Sequence, residues 1–350
     1  MSRVTMKSVA DVMGVSVMTV SNACNRPDQL SPDLRARILQ RAEKMGYGGP
    51  SAVARQLRSG RTNAYGVLLS EPLSYAFEDP FSILWLSGLA QALESAEGTM
   101  VLLPVRQGNE SDLEQLRRAS VDGVAAMCSE QPVARLVAQR GLPLVSTDPD
   151  DPDGSWVAID DHAAGVQLGS YLARLGHTDV MVVVGRHQHR DMGLREYTLD
   201  NYNATVQRRG GSGFYTQARL RGLVEGLGHV RPTILTAQGN SRESGRRVAG
   251  LALDRQNRPS ALVCLSDVLA LGVLDATSDR GLTPGRDLSV TGFDDLPDAS
   301  RAGLTTVHQP IIEKGRLVGE LLLDPSRQPR RIMLEHRLIV RSSTGPAPHD

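Results

Sequence analysis

This 350-residue chain carries none of the short signatures that mark common catalytic machinery. It has no GxxxxGK phosphate loop, no GxSxG nucleophile elbow, no HExxH metal helix and no GxGxxG fingerprint on a predicted strand. Catalysis therefore has no visible basis, and neither a cofactor nor a resident metal is expected. Cysteine is scarce. Cys24, Cys128 and Cys264 are odd in number and far apart, which excludes a disulfide framework and fits a reducing compartment. No apolar run approaches the roughly 18 residues that a membrane span needs, and the first twenty residues lack a signal-peptide core, so a cytoplasmic protein without membrane contact is expected. Apolar residues at 40% and charged residues at 22% are ordinary globular usage and argue against long disorder. The length is about twice a common domain size, which favours two or more domains.

The chain also lacks net charge, yet that balance hides an asymmetry. Residues 1–61 hold ten basic side chains against four acidic ones, and the remaining 289 hold 29 basic against 35 acidic. A small basic head on an acidic body points to a polyanionic partner at one end and a different task at the other.

The head reads as three short helices. Thr5 is a good N-cap, and Met6, Val9, Ala10 and Met13 follow at the spacing that puts apolar groups on one helical face. Gly14 ends that helix, and Ser16 caps a second, Val17 to Cys24, in which Val20 and Ala23 face inward while Met18, Ser21 and Asn22 point away. Two helices joined by only Gly14, Val15 and Ser16 have helix-turn-helix geometry, whose second helix enters the DNA major groove. A third helix begins at Ser31-Pro32, with Leu34, Ile38, Ala42 and Met45 as its buried stripe. On this geometry Val17, Met18 and Asn22 lie where side chains reach base edges, the two apolar ones suited to thymine methyls. Thr5, Ser16, Thr19, Ser21 and Asn25 suit phosphate contacts that set register.

In the body, apolar strand-like runs recur: 67–69, 100–103, 124–127, 144–145, 181–184, 261–265 and 288–293. Amphipathic stretches of helical length separate them, the pattern of parallel sheets covered on both faces. The number of units calls for two doubly wound α/β lobes, with a ligand crevice beyond the carboxyl ends of the strands. Ser70, Asp148, Ser266, Asp267, Asp294 and Asp295 stand at or just past those ends.

The runs TMKSVADVMGVSVMTVSNACN, LSPDLRARILQRAEKMGY and PSAVARQLRSGRT resemble the DNA-binding head and hinge of the LacI/GalR family of bacterial transcriptional regulators. The resemblance continues at DPFS (79–82), VDGV, GLPLVSTD, LARLGHTDV, LVCLSDVLALGVLDA, DLSVTGFDDLP, LTTVHQP and LIVRSSTGP, and so covers nearly the whole chain. It implies a helix-turn-helix domain at 1–49 and a hinge helix and linker at 50–61. The rest, 62–350, is implied to be a two-lobed dimerisation and effector domain like a periplasmic sugar-binding protein. Its N-lobe is expected at about 62–160 plus 300–327 and its C-lobe at about 161–297 plus 328–344, with three crossings between them. In the hinge, Ser51 can cap a short helix that includes Ala54 and Leu57, too short to be stable alone in water. The resemblance makes Leu57 a wedge in the minor groove.

The resemblance also implies that Ser70, Asp148, Arg219, Ser266 and Asp294 line the effector cleft. A guanidinium fork with carboxylate acceptors suits a polyhydroxylated ligand. Ser266 replaces an Asn common in relatives, and about two dozen extra residues precede Arg219. That segment is either a mobile loop or an added helix near the cleft. His187 and His189 form a lone HxH in a polar stretch, read as a solvated loop.

The expected function is a non-enzymatic, ligand-responsive transcriptional regulator: a repressor of carbohydrate-utilisation genes that binds a pseudo-palindromic operator as a homodimer and takes a sugar-like effector. The tail after Pro346 has no leucine heptads, which favours a dimer over a tetramer. The alternative is a sugar-binding or sugar-modifying protein on the same two-lobed fold. A transport protein would have no use for the head, and an enzyme would turn its ligand over.

Overall fold

The computed structural model describes residues 4–48, 60–106, 109–127, 131–149, 154–185, 193–208, 214–326 and 328–348. Ser51, Ala54, Leu57, Cys128, His187 and His189 lie outside the described residues, as does the side chain of Asn25. The chain divides into two compact units, Met1–Thr62 and Asn63–Asp350.

In the first unit, Met6–Met13 (α1), Val17–Asn25 (α2) and Pro32–Lys44 (α3) are helical. Thr5 and Ser16 cap the first two, each accepting a backbone N–H from three residues on. Gly14 ends α1 with φ +64°, a conformation that costs glycine nothing. Val9, Ala10, Val20, Ala23, Ile38 and Ala42 form the core, with Met6, Met13, Leu34 and Met45 packed against it. All ten belong to the apolar stripes read from the sequence.

The second unit contains two sheets. The first has six parallel strands in the order β12-β5-β4-β3-β1-β2: Ala64–Leu69 (β1), Thr99–Pro104 (β2), Gly123–Ala126 (β3), Leu144–Ser146 (β4), Ser155–Ile159 (β5) and Arg331–Leu334 (β12). The second has seven in the order β13-β11-β10-β9-β6-β8-β7: Val180–Val184 (β6), Arg195–Thr198 (β7), Thr233–Thr236 (β8), Ala261–Cys264 (β9), Ser289–Asp294 (β10), Thr305–His308 (β11) and Arg337–Ile339 (β13). Its inner strands are parallel, and the edge strands β7 and β13 run antiparallel. In each sheet the strand order reverses beside the first strand, β1 or β6, which places a crevice at the carboxyl ends of those strands.

The lobe boundaries differ from those expected. β11 is hydrogen-bonded into the seven-stranded sheet and β12 into the six-stranded one. The chain therefore leaves the C-lobe after His308, not near residue 300, and returns after Leu334, not at 328. Backbone pairing decides this, and a short run of residues does not record which sheet it will join.

The extra segment before Arg219 holds, in its described part, the edge strand β7 and the helix Leu199–Arg208. Tyr202 and Val206 of that helix are buried in the C-lobe core with Leu168, Leu172 and Leu220. The described part thus adds a strand at the sheet edge and a helix packed on the C-lobe core, which is the added helix of the two expectations. Each such buried aliphatic side chain contributes about 1.5–3 kcal/mol.

Candidate functional site

At the start of α2, Val17 is 44% and Met18 68% exposed, far more than a packed helix needs for either apolar residue. Around them the polar groups are ordered locally. Ser16 Oγ accepts from Thr19 N at 3.0 Å and lies 2.8 Å from Thr19 Oγ1, while Thr5 Oγ1 accepts from Ser8 N at 3.2 Å. Asn22 Nδ2 donates to Gln29 Oε1 at 3.1 Å. Ser21 departs from expectation: it is only 6% exposed, because it sits on the face that meets the core, so it is withdrawn from the surface assigned to it. Cys24 is half-buried, and burial pushes its thiol up.

In the second unit a cavity of about 380 Å³ is lined by residues of both lobes. The sequence candidates Ser70, Arg219, Ser266 and Asp294 all line it. Asp148 does not; its neighbour Thr147 does, since the turn after β4 folds back through Asp148 N donating to Ser146 Oγ at 3.2 Å.

Arg219 stands on the helix Phe214–Leu227, which crosses the helix Asp161–Arg174 at a distance that only glycines permit. A Cβ on Gly222 would lie 2.0 Å from His162 O, and one on Gly165 would lie 2.4 Å from Arg219 O. That approach brings Arg219 Nε to 2.7 Å from Asp161 Oδ1. Nη1 donates to Leu265 O at 2.8 Å and is 3.7 Å from Asp294 Oδ1, and Cζ lies 3.5 Å from the Phe293 ring centroid. Burial opposes the charge, but Asp161 and Asp294 outweigh it and hold the guanidinium protonated.

Asp294 ends β10 and Asp295 follows it, with φ +116° and +55°, a left-handed pair without glycine. Such strain costs of order 1–3 kcal/mol per residue and persists only where neighbours over-determine it. Those neighbours are present. Asp267, fully buried, accepts from Leu296 N at 2.7 Å and Thr306 Oγ1 at 2.6 Å, and Asp295 accepts from Arg341 Nη2 at 2.7 Å. Asp267, which the sequence placed at the cleft, is thus an anchor beneath it. Asp294 in turn accepts from Gln309 Nε2 at 2.7 Å, and Lys314 Nζ donates to Gln309 Oε1 at 2.5 Å. Burial, opposed by the Arg219 charge, pushes the Asp294 carboxyl up to about 7.

Sequence reading missed Tyr75, Asp79, Asp161, Tyr215, Asn240, Gln309 and Lys314. Most belong to helices or long loops with no strand-end signal, although Asp79 opens the DPFS motif. Among the described residues, no group of three or more His, Cys, Asp or Glu side chains is placed to hold a metal, and no helix is long and apolar enough to cross a membrane.

Residues 5–49 match the model for bacterial regulatory proteins of the lacI family, and residues 170–344 match the periplasmic binding protein-like domain. An HTH-type transcriptional regulator of Mycolicibacterium smegmatis is 37% identical, over 98% of this chain and 97% of that protein. Among solved structures, a LacI-family transcriptional regulator from Corynebacterium glutamicum superposes with TM-score 0.70 at 30% identity, covering 99% of this chain and all of that one. A complex of the transcriptional regulator CelR with cellobiose gives TM-score 0.66 at 25% identity, covering 97% and 100%. With a helix-turn-helix unit ahead of a two-lobed ligand domain, and near-full-length relatives that are regulators, this chain belongs to the LacI family of bacterial transcriptional regulators.

Proposed function

We propose that the chain is a dimeric cytoplasmic repressor of carbohydrate-utilisation genes. It reads a pseudo-palindromic operator through its head and responds to a small uncharged sugar or sugar derivative in the cleft. The observation that carries this reading is the buried Arg219–Asp161–Asp294 group, set on the Phe293 ring within a cavity that both lobes line. Charged groups that balance one another and a ring face beside them suit hydroxyls and an apolar sugar face. The cellobiose complex of CelR supports the ligand class.

In this reading Val17, Met18 and Asn22 read bases, while Thr5, Ser16, Thr19 and Asn25 set register on phosphates. Ser51, Ala54 and Leu57 belong to the hinge, with Leu57 in the minor groove. Ser70, Arg219, Ser266 and Asp294 bind the effector. A ligand changes DNA affinity only through its differential affinity for two lobe arrangements, and a coupling of about 1–3 kcal/mol is ordinary.

The test is to recover operator fragments from genomic DNA with the purified protein, then titrate the complex with neutral mono- and disaccharides by fluorescence anisotropy. Release or tightening by a sugar at micromolar to millimolar concentration is expected. Operator binding that no sugar alters would overturn the ligand class, and failure to select any DNA would overturn the repressor reading.

A further inference from the structure

Between β1 and the helix Pro80–Ser95, the N-lobe carries a single helical turn, Tyr75–Glu78, on the wall of the cavity. Opposite it, Asn240 lies in the C-lobe loop between β8 and the helix Arg242–Leu253. Asn240 Nδ2 donates to Tyr75 Oη at 3.1 Å, joining residues 165 positions apart and on different lobes.

The bond has an enforced polarity. Ser266 caps the helix Asp267–Asp279, where its Oγ accepts from Leu269 N at 3.4 Å, and its hydroxyl then donates to Asn240 Oδ1 at 2.5 Å. With its oxygen fixed in that way, the Asn240 amide presents only donors towards the N-lobe, and the Tyr75 oxygen receives one. The chain Leu269, Ser266, Asn240, Tyr75 therefore runs from a C-lobe helix across the cleft to the N-lobe. On the N-lobe side, Asp79 lines the cavity wall, is only 7% exposed and interacts with the Tyr75 hydroxyl, while its Oδ2 accepts from Ser82 N at 3.0 Å and Ser82 Oγ at 2.6 Å. The tyrosine turn is thus tied to the C-lobe at one end and to a fixed helix cap at the other.

We propose that Tyr75 and Asn240 are positioning residues that form a closure contact across the cleft, holding the Tyr75–Glu78 turn over the cavity when the lobes are together. The contact rests on the cleft being the effector site for its biological meaning, and on the lobe geometry alone for its existence. It breaks whenever the lobes part, so it slows escape of a ligand enclosed behind it. A four-residue turn is unstable by itself, so its order depends on such tethers.

Hydrogen exchange on the ligand-free full-length protein tests this without any knowledge of the effector. Exchange of the amides of Tyr75, Ala76, Phe77 and Asp79, hydrogen-bonded to the carbonyls of Pro72, Leu73, Ser74 and Tyr75, reports the opening equilibrium of the turn. Tyr75→Phe and Asn240→Ala should each speed these amides by about two- to tenfold, the worth of one neutral hydrogen bond, and the double variant should add little to either. The amides of β6 serve as the folding control and should stay slow. The decisive arm is Asn240→Ala, because a residue that merely packs its own lobe would not alter exchange in the other. Unchanged exchange at 75–79 in that variant, or effects that sum fully in the double variant, would overturn the closure contact whatever the effector proves to be.

Discussion

Arg219 Nε sits 2.7 Å from Asp161 Oδ1, and the two side chains are 8% and 6% exposed, an ion pair removed from solvent on neighbouring helices. Removing one partner of such a pair leaves an uncompensated buried charge, whereas removing both does not. Arg219→Met is therefore expected to lower stability by about 3–5 kcal/mol, and adding Asp161→Asn should recover part of that loss. Urea melts of the wild type, both single variants and the double decide the point. Destabilisation by the double variant equal to the sum of the two single effects would show that the pair is not coupled.

The approach of the two helices is itself a sequence-encoded demand. Because a Cβ at Gly222 would meet His162 O at 2.0 Å, Gly222→Ala has to push the helices apart and disturb the Arg219–Asp161 geometry. A loss of about 1–3 kcal/mol is expected from overpacking, read as a lower urea midpoint with an unchanged slope. An unaltered midpoint would mean that the helices are free to adjust.

Asp267 supplies a pH-dependent term. Burial, with the Asp294 charge beside it, raises its carboxyl well above the usual carboxylate range. From about pH 4 upward the unfolded chain releases a proton that the native state retains, so stability falls as pH rises towards the folded value. Asp267→Asn can still accept from Leu296 N and satisfy Thr306, and it removes the titration. The melting temperature of the variant relative to wild type should improve between pH 5 and pH 8. A constant difference would show that Asp267 carries no such proton.

In the head, Met18→Ala should shift the base preference of a DNA site selected from a random library, since Met18 is the most exposed apolar side chain on α2. Arg35→Ala tests a different role. Its Nε donates to Ala23 O at 3.2 Å, closing the C-terminal end of α2, so the change should lower the stability of the head by about 1 kcal/mol. Selection of an identical site by the Met18 variant would remove it from the reading surface. A melting temperature unmoved by the Arg35 change would make that bond inconsequential.

Much of the architecture was readable because local physics set it. Capping residues and 3.6-residue periodicity marked α1, α2 and α3, and continuous apolar runs marked β1, β2, β3, β4, β6, β9 and β10, all but β2 inner strands of their sheets. Strands β5, β7, β8, β11, β12 and β13 went unmarked. β7, β12 and β13 lie at sheet edges, where one side faces solvent and polar residues such as Arg195, Glu196, Arg331 and Arg337 are tolerated. β11 begins with Thr305 and Thr306, which are buried because their hydroxyls bond to Arg341 O and Asp267.

At the cleft, the sequence by itself determined which residues end the strands, because a parallel sheet delivers whatever follows its strands to one edge. Ser70, Ser266 and Asp294 arrive there for that reason. What only the tertiary structure decided is which side chains meet across that edge. Asp161 reaches Arg219 through a glycine-lined helix crossing, Asp267 turns inward to hold Leu296 N and Thr306 beneath the strained end of β10, and Asn240 finds Tyr75 from 165 residues away. Such pairings depend on how helices pack and lobes approach, and packing energy is summed over many distant contacts that no short run of residues records.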